Sequence, residues 1–265
     1  PARPGRPHLP RRPVSPPAPT PTPTATPAAA EVGAVPASLG LDPFYEKYVD
    51  ADGIPVIGSA SVPDAALLEA RAIVVGMLAG IPDVRDAIVA NGVRVAVMAE
   101  SKVTTDIPEH SDLNEVFPGT DWDARARGVA ATLVRPATSG AEENLLCYAS
   151  DIYKGENVLV HEFAHTIFDL GVVYLPGGVD YALRLDQAYA DAIAAGLWTN
   201  TYAATSRQEY WAEAVQSWFN ANLQAVPTNG IHNAVNTRSE LLAHDPVIAA
   251  LIGELIPTDW LPQCP

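Results

Sequence analysis

The sequence predicts an α+β domain, mostly helical, with a small β-sheet ahead of one buried helix that carries His-Glu-x-x-His. Three observations lead there. Apolar residues recur at helical spacing through most of the second half of the chain. Val93-Arg-Val-Ala-Val-Met98 is β-branched and alternating, as a buried strand should be. Val158-Leu-Val-His161-Glu162-Phe-Ala-His165-Thr-Ile167 sets two histidines, four apart, among uncharged neighbours.

The globular pattern begins at Leu41. Asp42–Tyr48 reads as a short helix with Pro43 in its first turn. Ser61-Val-Pro-Asp64 opens a longer helix through Ala65–Leu78, closed by Gly80, and Pro82–Asn91 is a third. After the Val93–Met98 strand, Thr104–His110 is loop-like and Asp121 or Asp123 can cap a short turn. Gly128–Val134 is a second strand candidate, and Glu142–Tyr148 stays open between states. The remainder reads as helices over Glu156–Leu170, Tyr181–Ala195, Arg207–Leu223, Ser239–His244 and Pro246–Leu255, with Gly171 placed to cap the first. No internal repeat is present.

Composition divides the chain near residue 36. Residues 1–36 are Pro, Ala and Thr with almost no large apolar side chain, a composition that gives a disordered tail or linker. Residues 37–265 are then the globular domain. The whole chain has a formal charge of −15. Arg3, Arg6, Arg11 and Arg12 against Glu31 give the tail about +3, leaving about −18 on the body. So acidic a body argues against nucleic acid and anionic membranes as partners, and is compatible with cationic substrates. The basic tail could contact an anionic cell surface, the alternative being that its four spaced Arg only solvate the segment.

No apolar run approaches the roughly 18 residues of a membrane span, so no transmembrane segment is expected. Arg and Pro crowd the start, where a signal peptide would need an apolar stretch. The expected setting is extracellular or cell-surface, with any signal peptide already removed. Cys147 and Cys264 allow one disulfide, which in an oxidising compartment would pin the C-terminus; two free thiols are the alternative.

The chemistry follows from helix geometry. Residues four apart lie on one face of a helix, so His161 and His165 can share one zinc ion, and Glu162 can reach a water held by it. A third ligand is needed. Position 171, where one zinc-binding pattern places a third His, is Gly, and no Gly-Thr-x-x-Asp follows the helix. A Glu on a downstream helix remains, and Thr201-Tyr202-Ala-Ala-Thr-Ser206-Arg-Gln-Glu209-Tyr-Trp-Ala-Glu213 provides it. Glu209 would bind the metal, and Glu213, one turn later, would orient a histidine through its other ring nitrogen. The competing readings are a capping box of Ser206 with Glu209 and a solvated surface acid at Glu213.

These residues resemble those of the gluzincin metallopeptidases, and more narrowly the catalytic-domain family of anthrax lethal factor. The likeness rests on His161-Glu-Phe-Ala-His165, Glu209-Tyr-Trp-Ala-Glu213-Ala and Tyr202, and covers roughly residues 150–225. It implies a zincin-like metalloprotease domain with one catalytic Zn2+ on His161, His165 and Glu209, Glu162 as general base and Tyr202 as oxyanion donor. The expected function is a secreted zinc endopeptidase acting on a peptide or protein substrate. An amidase acting on non-peptide or cell-wall material, or a surface binding module that keeps the metal site without catalysis, stands as the alternative. The toxin's binding domains have no counterpart here.

Overall fold

The computed structural model describes residues 30–265. Its sheet has six strands: β1 (Gly33–Ala34), β2 (Lys47–Ala51), β3 (Ile54–Gly58), β4 (Arg94–Met98), β5 (Gly128–Val129) and β6 (Ala137–Ala141), in the order β1-β2-β3-β4-β6-β5. β3, β4 and β6 run parallel, and the two pairs at one edge and the β5–β6 pair at the other are antiparallel. The helices are α1 (Asp64–Met77), α2 (Pro82–Ala90), the four-residue α3 (Leu113–Val116), α4 (Trp122–Arg125) and α5 (Glu142–Leu145), then α6 (Val158–Thr166), α7 (Gly178–Ala194), α8 (Arg207–Trp218), α9 (Arg238–His244) and α10 (Pro246–Leu255). The mixed α+β architecture, with a small sheet preceding the His-Glu-x-x-His helix α6, is the one expected.

The Pro/Ala/Thr-rich segment expected over 1–36 lies outside the described residues as far as residue 29. Of its remainder, Gly33 and Ala34 pair with Tyr48 and Lys47.

Several segments differ from expectation: Ala137–Ala141 is an unforeseen strand, the helix expected over Arg207–Leu223 ends at Trp218, and two further segments change more. Asp42–Tyr48 is not a helix. Asp42 closes a turn by accepting from the Phe44 amide at 2.8 Å, and Lys47 then starts β2. Pairing with β3 buries Val49 and Ala51, and the connection at Asp52-Gly53 takes φ of 53° and 96°, the left-handed pair that a tight hairpin requires. The strand expected over Gly128–Val134 stops at Val129. Thr132 and Arg135 exchange backbone hydrogen bonds of 2.9 and 3.2 Å, which turns the chain back into β6 and leaves Leu133 and Val134 exposed at the tip.

Helix α6 is held at its start and along one face. Asn157 caps it by accepting from the Val160 amide at 3.0 Å, while its own amide donates to the Cys264 carbonyl at 2.8 Å. The Val158 amide donates to Asn144 Oδ1 at 2.8 Å. The face rests on β6, where a Cβ at Gly140 would lie 3.0 Å from Leu159 Cβ, so the glycine permits the close approach. Beyond Thr166 the helix widens into a π turn over Ile167–Gly171. Gly171 is therefore not a left-handed cap. Its missing side chain makes room for α2, since a Cβ there would lie 2.6 Å from Val84 Cγ1.

Cys147 and Cys264 are bridged, closing a loop over a sequence separation of 117 residues and tying the C-terminus to the segment ahead of α6. Closing so long a loop removes much unfolded-state freedom. Cys264→Ser is expected to lower unfolding free energy by about 2–5 kcal/mol, read from a shifted denaturant midpoint.

Candidate active site

Helices α6 and α8 meet so that three ligand atoms converge. His161 Nε2 and His165 Nε2 are 3.2 Å apart, and Glu209 Oε2 lies 3.0 Å from the first and 3.4 Å from the second. Trp211 fixes the crossing by donating its indole N–H to the Ala164 carbonyl at 2.8 Å. Ser206 caps α8 by accepting from the Glu209 amide at 3.2 Å, and the Glu209 carboxylate turns to the histidines instead of back to the cap. Only half of the capping box forms, which frees the acid for the cluster.

Gln216 defines the protonation of His161. Its Nε2 donates to the Asn157 carbonyl at 3.2 Å, so its Oε1, 2.9 Å from His161 Nδ1, accepts from an Nδ1–H. In the neutral imidazole that leaves a lone pair on Nε2, aimed at the lone pairs of Glu209. Two acceptors at 3.0 Å call for a cation between or beside them, either a proton or a metal ion. Separations of 3.0, 3.2 and 3.4 Å also bracket the edge of about 3.3 Å that a tetrahedral zinc site has with bonds near 2.0–2.1 Å. The three residues thus fit a zinc ion by donor type and by spacing.

The surroundings carry the same preference for positive charge. Burial pushes the His161 imidazole down, but the Glu209 hydrogen bond and the charges of Glu162 and Glu213 outweigh it and leave the group raised to about 10. Burial raises Glu209, and hydrogen bonds from His161 and His165 carry it well below the usual carboxylate range. Glu213 is buried and shifted upward by that burial. Its Oε1 stands 3.6 Å from His161 Nδ1, beyond a hydrogen bond, and its Oε2 accepts from Asn222 at 3.1 Å. The orienting contact expected of Glu213 is therefore made by Gln216, while Glu213 supplies charge behind the ring. Gln216 is seven residues, two turns, after Glu209. That spacing put it on the same helix face and was the signal available in the sequence.

These groups line a cleft of about 590 Å³ together with Glu162, Tyr202, Arg125 and Glu156. Among the described residues the Glu162 carboxylate has no hydrogen-bond partner. The β5 strand passes close above it, and a Cβ at Gly128 would lie 3.1 Å from Glu162 Cγ and 2.5 Å from Val158 Cγ1. Tyr202 sits in a short 3-10 turn before α8, its ring stacked on that of His161 at 6.2 Å between centroids. Burial and the neighbouring Glu209 raise its hydroxyl above the ordinary phenol range. Glu156 pairs with His232 at 3.2 Å and is raised to about 7 by burial and by Glu213. Asp169 lines the cleft beyond His165 without a hydrogen bond to it. His110 and His244 are tied elsewhere, to the Ala137 carbonyl at 3.0 Å and against the Trp198 ring at 5.0 Å. His161, His165 and Glu209 are the one group of metal-ligating side chains found among the described residues.

No family model matches the chain, and no curated protein matches it. Among solved structures it is similar to the Pro-Pro endopeptidase (PPEP-2) from Paenibacillus alvei, with 20% identity and a TM-score of 0.48, over 76% of this chain and 96% of that one. No helix among the described residues is long and apolar enough to cross a membrane.

The Gln216 contact generates a test independent of turnover. Gln216→Leu removes the acceptor that holds the His161 tautomer, and zinc affinity is expected to fall about 10–100-fold, measured by competition with a chromogenic chelator.

Proposed function

We propose that the chain is a zinc-dependent endopeptidase of the gluzincin type. The observation that carries this reading is the convergence of His161, His165 and Glu209 beside a Glu162 carboxylate that no group among the described residues engages. A site serving only to stabilise the fold has no use for an unpaired acid in an open cleft. A zinc ion held by the three residues supplies Lewis acidity, polarising a carbonyl oxygen and lowering the pKa of water.

The protein groups divide the remaining work. Glu162 accepts a proton from the attacking water at its carboxylate and delivers it to the departing amine. Tyr202 donates its hydroxyl to the oxygen on which negative charge develops. Gln216 keeps the His161 lone pair turned inward. Above the helix, Val129 donates to Ser139 Oγ at 3.1 Å and Ala131 to Thr166 Oγ1 at 3.3 Å, so Ala130 between them is the backbone best placed to meet an extended peptide. Extracellular or cell-surface action fits the Cys147–Cys264 bridge, since such bonds persist in oxidising compartments.

The same apparatus would serve an amidase of cell-wall material, because the ligands set the reaction and the cleft walls set the substrate. It is the narrower peptide reading that the strand-like rim favours.

The test pairs zinc content with hydrolysis of a mixed protein substrate. Wild type and Glu162→Gln should each hold about one zinc per chain, with hydrolysis only by wild type. Tyr202→Phe should keep the metal and lose about 10²–10³ in kcat. Equal turnover by wild type and Glu162→Gln would remove the general-base assignment.

A further inference from the structure

Residues 30–265 form a strongly acidic body, and its few cations are almost all engaged. Twelve of the chain's 16 Lys and Arg lie there, the other four being Arg3, Arg6, Arg11 and Arg12. Nine of the twelve pair with a carboxylate within 4.0 Å. Arg71 and Lys154 donate instead to the carbonyls of Asp50 and Ala149. Arg125 alone has neither kind of partner among the described residues, and residues 1–29 contain no Asp or Glu that could supply one. It lines the cleft. The other arginine there, Arg127, is fully engaged by Glu143 and by the Lys102 carbonyl.

Arg125 is also held in place. It ends α4, and its carbonyl accepts from the Tyr153 hydroxyl, which ties this part of the upper rim to the segment leading into α6. Its guanidinium lies 5.9 Å from the centre of the Trp122 ring, and its Nη2 is 3.4 Å from the Tyr202 hydroxyl oxygen. If Tyr202 serves the scissile carbonyl oxygen through an ordinary hydrogen bond, Arg125 Nη2 stands within about 6 Å of that oxygen. Adjacent peptide residues advance by about 3.3–3.6 Å, so a neighbouring substrate residue comes within its reach.

We propose that Arg125 is a specificity-determining residue that binds a carboxylate of the substrate next to the scissile bond. The inference rests on the peptidase reading of the cleft and narrows it to peptides acidic at one flanking position. An Arg fork and a carboxylate make charge-assisted, bidentate contacts, and the remaining N–H groups of Arg125 are available for them. The shared chemistry is the carboxylate; an Asp or Glu side chain and a free peptide C-terminus are its two sources.

Peptide selection separates this inference from the catalytic reading. The zinc-loaded full chain carrying Glu162→Gln is immobilised and exposed to a degenerate octapeptide mixture, once with blocked termini and once with a free C-terminus. Enrichment of Asp and Glu over Asn and Gln by about tenfold at one position is expected, or enrichment of the free over the blocked C-terminus if the terminal carboxylate is the source. Adding Arg125→Ala should abolish it, and Arg125→Glu should replace it with enrichment of Lys and Arg. Absence of any acidic enrichment overturns the inference. So does enrichment that survives Arg125→Glu, or a uniform loss of all peptides in Arg125→Ala, which would reduce Arg125 to a support for Tyr202. Hydrolysis of the same mixture by wild type reads the other question separately. Enrichment without cleavage keeps the Arg125 site and sinks the peptidase, whereas cleavage without acidic preference does the reverse.

Discussion

The crossing of α6 and α8 is the contact on which the remainder of the structure depends. It places two imidazole nitrogens and a carboxylate oxygen within 3.0–3.4 Å of one another, an arrangement that is repulsive unless a cation sits among them. Such a cluster does not stabilise a fold on its own account. It persists because Trp211, Gln216 and the Ser206 cap impose it from outside, each through a hydrogen bond to backbone or ring that leaves the inward lone pairs unused. The sheet contributes by yielding space. The small residues of β6 are buried throughout, and Gly140 lets α6 lie against the strand. The disulfide and the Asn157–Cys264 hydrogen bond bring the far end of the chain to the same helix.

The cleft inherits its polarity from that design. Glu162, Glu209, Glu213 and Glu156 line the floor with the histidines, so it is rich in carboxylate oxygens and attracts a cation. The upper rim is different in kind, with the Arg127–Glu143 pair anchoring the strand start and Arg125 beside Tyr202 without a carboxylate partner among the described residues. A net charge of −15 averaged over the chain therefore says little about what the cleft prefers. The expectation of cationic substrates followed from that average, and the local arrangement at Arg125 points the other way.

Much of the site was legible because its residues obey helical periodicity. His161, Glu162 and His165 stand out by their spacing together with the apolar flanks around them, and Glu209 and Glu213 by a second helix whose cap is written at Ser206. Gln216 was missed because a neutral amide carries no chemical signal by itself; its role exists only once Asn157 fixes which way it points. Arg125 was hidden for a similar reason, since its meaning comes from having no carboxylate partner among the described residues, a property of three-dimensional surroundings. Among the elements, α10 was read to the residue, helped by Pro246 at its first position. The failures were strands. Ala137-Thr-Ser-Gly-Ala141 shows none of the bulky alternation that marks a strand, because a helix packs directly on it, and Asp42-Pro43 imitates a helix start while closing a turn. Tertiary packing overrode local pattern in both cases.

The central claim is that α6 and α8 together build a metal site from His161, His165 and Glu209. X-ray absorption at the zinc edge of the metal-loaded full chain tests it most directly. The account predicts two imidazole ligands with the remaining shell made of oxygen at about 2.0–2.2 Å, and loss of one imidazole in His165→Ala. A shell containing sulfur, or one unchanged by His165→Ala, would contradict it.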